Sequence, residues 1–114
     1  MARILAFDVG GSGLRAAVVG ADGSVGGVAI RPVASALDGT SHEIDADAWW
    51  RLLPDAAAEA LAGGTADAVA VTGMTRTQVL TDAAGRPVRA AFGFRDARAA
   101  AEVDAAAGAL ATSP

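Results

Sequence analysis

An aspartate, three glycines, a serine and an arginine crowd one short stretch, Asp8-Val9-Gly10-Gly11-Ser12-Gly13-Leu14-Arg15. Apolar runs flank it: Ile4-Leu5-Ala6-Phe7 before, and Leu14 with Ala16-Ala17-Val18-Val19 after. Two short apolar runs joined by glycines predict a β-hairpin, with Asp8 at the end of its first strand. Gly10, Gly11 and Gly13 allow positive φ and close approach of a ligand to the backbone. Successive free N–H groups in such a turn can form a concave nest for an anion, to which Ser12 adds a hydroxyl. Arg15 adds a fixed positive charge. A carboxylate beside an anion nest makes chemical sense when a cation bridges them. Mg²⁺ bound to a nucleotide does this, held largely through water by one or two carboxylates, which makes Asp8 the candidate catalytic and metal-linked residue. The plainer alternative is a tight glycine turn with a solvated Asp8. The Gly-Lys-Ser/Thr ending of a P-loop is absent, and a strand rather than a helix follows the glycines, unlike a dinucleotide fingerprint.

The elements that must position this turn are legible in order. Ala21-Asp22-Gly23-Ser24 is a turn signal leading into a third strand that runs through about Val33, which gives a three-stranded meander. Residues 34–44 read as a loop with Asp38-Gly39-Thr40-Ser41 at its centre. Asp45 or Asp47 begins a helix carrying Trp49-Trp50 and Leu52-Leu53. Pro54 must kink that helix or start a second one. Leu61 ends the apolar pattern, and Gly63-Gly64 stops the helix. Residues 68–72 predict a short buried strand, and residues 78–81 and 90–94 a second hairpin turned by Asp82-Ala83-Ala84-Gly85. Asp96 is placed to cap a final Ala-rich helix over residues 97–110, with Thr112-Ser113-Pro114 as a breaker. Meander, helix, strand, hairpin, helix is an α/β plan.

Length and composition narrow the function classes. The chain has 114 residues, enough for one domain or part of one. Its net charge of −4 and scattered arginines show no basic stripe, so no nucleic-acid partner is expected. There is no cysteine, hence no disulfide framework or thiolate metal site, and one histidine cannot form a cluster. No apolar segment approaches the length of a membrane span, and the start of the chain lacks a signal-peptide pattern, so a cytoplasmic protein without a membrane partner is expected.

The phosphate-turn candidate, residues 8–15, resembles the first phosphate motif of the FGGY carbohydrate kinases, the family of xylulokinase and glycerol kinase. Gly11 stands where that family usually has Thr. Two further stretches agree in order. His42-Glu43-Ile44-Asp45-Ala46-Asp47-Ala48-Trp49-Trp50 resembles the acidic, then Trp-Trp segment before the family's first helix, and Phe94-Arg95-Asp96-Ala97-Arg98 resembles its Trp-Asn-Asp-X-Arg. The resemblance covers nearly the whole chain but only the first part of the family. It implies the N-terminal portion of a ribonuclease-H-like (actin/hexokinase-like ATPase) domain over residues 1–114, with ATP and Mg²⁺ as cofactors and a sugar or polyol as substrate. A homodimer of the full-length protein is compatible with it.

In this register Gly10, Gly11, Ser12, Gly13 and Arg15 would contact the ATP phosphates. Met74, Thr75 and Arg76, in the loop after a strand where open α/β sheets bind ligands, would face the sugar, together with Asp96. Met74-Thr75-Arg76 matches neither the xylulokinase-like nor the glycerol-kinase-like pattern. Arg76 could donate to hydroxyls or to the carboxylate of an acidic sugar, or be a plain surface arginine. Glu43 or Trp49 could edge the cleft. The plainer reading of both Trp residues is anchorage in the core, and His42 reads as a solvated loop residue. The family's catalytic Asp lies far downstream, so no kinase activity is expected from these residues alone. The alternative from another class is a non-catalytic actin-fold module that senses a sugar or binds a partner.

Overall fold

Strand β1 (Arg3–Val9) pairs antiparallel with β2 (Gly13–Gly20), which pairs antiparallel with β3 (Val25–Pro32), so the expected meander forms. These elements come from a computed structural model that describes residues 1–112. Of the expected breaker, Ser113 and Pro114 lie outside the described residues. Residues 34–44 are not a loop but a hairpin, β4 (Ser35–Asp38) and β5 (Ser41–Ile44), turned at Asp38-Gly39 with Gly39 at φ 59°. Asp-Gly between two short strands is a hairpin signal in its own right.

Helix α1 (Ala46–Leu61) is capped by Asp45, whose Oδ1 accepts from the Ala48 amide at 3.3 Å. Pro54 sits inside this one helix rather than opening a second. The helix ends at Ala62, in the left-handed region at φ 49°. Its buried alanines, Ala46, Ala48, Ala56 and Ala60, let it lie close on β2 and β3. The approach is closest at Gly27 (φ 56°), where a Cβ would collide with the Ala60 carbonyl. Arg31 on β3 staples the helix down, donating to Asp55 at 2.7 Å and Glu59 at 2.6 Å. The core gathers Leu5, Phe7, Leu14, Ala16, Val18 and Ile44 beneath it.

Strand β6 (Ala68–Gly73) runs parallel to β1, which gives the sheet order β3-β2-β1-β6. It is not the buried strand its apolar sequence predicts. As the sheet edge it is exposed along its length, Val69 and Val71 included, because α1 covers the β2–β3 side instead. The expected second hairpin is reduced to bridges, Gln78 to Phe92 and Thr81 to Pro87, with β7 (Ala91–Phe92) joining β5 in a second, three-stranded sheet β4-β5-β7. The final helix α2 (Ala100–Ala111) starts later than residue 97 and is exposed on every face. Asp96 does not cap it: the residue before the helix is Ala99, which makes no side-chain cap.

Candidate functional site

The glycine turn is held from three directions. The Gly10 amide donates to the Gly13 carbonyl at 2.9 Å and closes it. Trp49 of α1 donates its indole Nε1–H to the Gly10 carbonyl at 3.0 Å. The amides of Val33 and Met74 donate to the carbonyls of Ser12 and Val9, each at 3.1 Å. The expected positive φ is not used, since none of Gly10, Gly11 or Gly13 adopts it. Space explains the glycines instead. A Cβ on Gly10 would sit 2.8 Å from the Gly13 carbonyl oxygen, and one on Gly13 would sit 3.1 Å from that of Arg31. At Gly11 the nearest atom would be the Met74 Sδ at 3.4 Å, an ordinary contact.

Asp8 stands opposite Arg15 in the β1–β2 ladder, so the two side chains share a face. Arg15 Nη1 donates to Asp8 Oδ2 at 3.0 Å, and both side chains are about half exposed. A pair this wet is worth at most about 1 kcal/mol. Among the described residues Asp8 Oδ1, the amides of Gly11 and Ser12, and the exposed Ser12 hydroxyl have no partner. The site therefore offers one free carboxylate oxygen, a cationic guanidinium and free N–H and O–H donors side by side. This donor set suits a phosphate chain carrying a divalent cation.

The loop after β6 reaches the turn through Met74, whose sulfur packs toward Gly11 and whose side chain leans on the core. Thr75 is exposed, and its carbonyl accepts from the Thr77 hydroxyl at 3.3 Å. Arg76 is exposed at φ 55°, a left-handed backbone uncommon outside glycine. It lines a hollow of about 490 Å³ with Gln78, Phe94, Asp96 and Arg98. A larger cavity of about 570 Å³ lies between Trp49, Trp50 and Leu53 of α1 and Val79 and Pro87, and of the candidate site residues only Trp49 lines it.

Asp96 has a different role from the cap expected of it. Its side chain is 9% exposed and its oxygens are taken. Oδ2 accepts from the His42 amide at 2.9 Å and from Arg98 Nη2 at 2.7 Å, while Oδ1 accepts from the Arg98 amide at 3.2 Å. The Arg98 guanidinium first, and the His42 amide next, hold its pKa well below the usual carboxylate range. Asp96 thus clasps β5 to the segment before α2. Glu43 is engaged beside it, accepting from Arg89 at 2.5 Å and Arg98 at 3.1 Å, with Arg89 lying 3.9 Å over the Phe92 ring.

Two aromatic positions, His42 and Trp50, behave differently from expectation. His42 is buried, 7% exposed, with its Nδ1 accepting from the Arg95 amide at 3.3 Å and its ring edge-on to Phe94. Gly93 leaves room for it, since a Cβ there would fall within the imidazole. That glycine was the one sequence signal for a buried His42. Trp49 is half-buried and bonded to the turn, whereas Trp50 is 77% exposed and anchors nothing in the core. In a helix adjacent positions point about a quarter-turn apart, so only one of a Trp-Trp pair can face inward.

The profile of the FGGY family of carbohydrate kinases, N-terminal domain, matches residues 3–110. No curated protein matches the chain. Among solved structures, xylulose kinase from Rhodospirillum rubrum superposes with a TM-score of 0.80 at 25% identity, over 93% of this chain and 23% of its own. A ligand-bound xylulose kinase from Lactobacillus acidophilus gives 0.73 at 15% identity, over 95% of this chain and 23% of its own. Gluconate kinase from the same organism gives 0.73 at 15% identity, over 93% and 22%. The chain thus spans less than a quarter of the length of these kinases. Among the described residues no helix is long and apolar enough to cross a membrane.

Proposed function

Because this chain belongs to the FGGY family of carbohydrate kinases, as the N-terminal domain of an actin/hexokinase-like ATPase fold, we propose that it forms one wall of a cleft in which the γ-phosphate of ATP passes to a sugar hydroxyl. The observation that carries this reading is the fixed glycine turn with its unpartnered donors beside Asp8 and Arg15. Gly11 and Ser12 offer their amides, and Ser12 its hydroxyl, to phosphate oxygens. Gly10 and Gly13 keep the turn narrow, and Arg15 offsets phosphate charge while orienting Asp8. Asp8 Oδ1 is the oxygen that would hold Mg²⁺, directly or through water. When bound, Mg²⁺·ATP supplies the transferable phosphoryl group with its charge partly neutralised.

Phosphoryl transfer depends on positioning and electrostatics. Asp8 is paired with Arg15 and is read as metal-linked, and the family resemblance implies that the base for the sugar hydroxyl and the adenine site come from residues outside this chain. The 114-residue chain alone is inactive in this reading. Met74 packs the sugar loop against the phosphate turn and couples the two halves of the wall. Asp96 and Glu43 act behind the surface by holding Arg98 and Arg89.

The test is ADP release by the full-length protein with Mg²⁺ and a panel of sugars, polyols and sugar acids. Sugar-dependent release supports the reading. Sugar binding by calorimetry without any ATP turnover would instead support a sugar-sensing module, and a gene that stops at Pro114 would remove the enzyme.

A further inference from the structure

We propose that the hollow at the loop after β6 selects a sugar bearing a carboxylate, and that Arg76 is the group that recognises it. This deepens the kinase reading and rests on it.

Arg76 stands apart from the other arginines of the chain. Arg15, Arg31, Arg51, Arg86, Arg89 and Arg98 each hold a carboxylate. Arg3 donates to the Thr65 carbonyl, and Arg95 lies over the Phe94 ring. Among the described residues Arg76 alone has no carboxylate, carbonyl or ring as partner. Its backbone sits at φ 55°, a conformation that non-glycine residues keep where surroundings impose it, often at functional sites.

At about 490 Å³ the hollow falls in the size range of small-ligand pockets. Phe94, more than half exposed, offers a ring face to sugar C–H groups. Neutral polyol hydroxyls donate as well as accept hydrogen bonds, so a site for them has to supply acceptors too. Here Asp96, the carboxylate that lines the hollow, is taken by Arg98 and the His42 amide, while Glu43, whose Oε1 accepts from Arg89 and Arg98, does not line it. The charged group left free is a donor, the Arg76 guanidinium, with the Gln78 amide beside it. A site rich in donors and poor in free acceptors matches an acceptor-only ligand group, and a guanidinium matches a carboxylate with two parallel bonds.

The experiment compares kcat/KM of the full-length kinase for gluconate and xylonate with that for the neutral sugars and polyols of the same carbon skeletons. The acids are expected to be preferred at least about tenfold. Arg76→Gln should lower kcat/KM for the acid by about 10- to 100-fold, the range of a charge-assisted bond. The same variant should narrow the preference for the acid over the neutral sugar, with the KM for ATP within about twofold of wild type. Arg76→Gly removes the same guanidinium but suits the left-handed backbone, so a loss common to both variants is not a loss of folding. Equal or better use of neutral sugars by the wild type overturns the inference while the kinase reading stands. Should no sugar be phosphorylated, the kinase reading falls, and calorimetry with gluconate and xylonate decides the inference separately. Heat that disappears in Arg76→Gln supports it, and no heat with either acid overturns it.

Discussion

Gly10 and Gly11 are neighbours in one turn, yet replacing them by alanine should have opposite effects. At Gly10 the new methyl would lie 2.8 Å from the Gly13 carbonyl oxygen, a backbone atom tied to the Gly10 amide by the bond that closes the turn. Relief requires moving the turn by about half an ångström, and overpacking of this kind costs roughly 1–3 kcal/mol. At Gly11 the methyl meets the Met74 Sδ at 3.4 Å and Cε at 3.5 Å, the far end of a flexible side chain, and the Ile44 Cδ1 at an ordinary 3.9 Å, with φ outside the left-handed region. Loss of glycine's freedom in the unfolded chain then stabilises by about 0.4–1 kcal/mol, and this gain applies at both sites. The net expectation is Gly10→Ala destabilised by about 0.5–2 kcal/mol and Gly11→Ala neutral or slightly stabilised. At about 4 °C per kcal/mol for a domain of this size, the two melting temperatures should differ by several degrees. Urea denaturation followed by tryptophan fluorescence gives the same comparison. In the full-length enzyme Gly10→Ala should also raise the KM for ATP, while Gly11→Ala, or Gly11→Thr with the family's usual residue, should not. Equal stability of the two alanine variants would refute the account of the turn.

Two further outcomes follow from the same geometry. Trp49→Phe removes the indole bond to the Gly10 carbonyl and should cost about 0.5–1.5 kcal/mol in denaturation while raising the KM for ATP more than that for sugar. For Asp96, a folded-state pKa held below its unfolded value means that its contribution is present above about pH 4 and is lost as pH falls toward the folded value. Asp96→Asn should therefore be less stable than wild type at pH 7, and the gap should close as denaturation midpoints are followed down to pH 2. Parallel curves would contradict the clasp.

The sequence shows most where local chemistry decides the structure. The alternation of apolar runs and glycines at residues 4–19 specifies the first hairpin, and the Asp45 and Asp47 cap signals bracket where α1 begins, which the structure places after Asp45. It shows least where the outcome depends on what packs from elsewhere. Residues 68–73 are apolar enough for a buried strand, but their exposure is set by which side of the sheet α1 covers. His42 is buried because Gly93, far along the chain, leaves room for its ring. Asp96 satisfies the N-cap pattern locally, yet the long-range pull of the His42 amide and of Arg98 takes its oxygens. The Asp38-Gly39 hairpin, by contrast, was a local signal, since Asp-Gly marks the turn where two short runs pair in register.

The most direct test of the central claim is transfer of label from γ-labelled ATP to sugar by the full-length protein with saturating Mg²⁺, for wild type and Asp8→Asn. The account expects label on the sugar in the wild type. It expects turnover at least about 100-fold lower in Asp8→Asn, with folding intact, because Asp8 is a half-exposed residue at the end of β1 rather than part of the core. Unchanged turnover in Asp8→Asn, or no sugar labelled by the wild type, would contradict it.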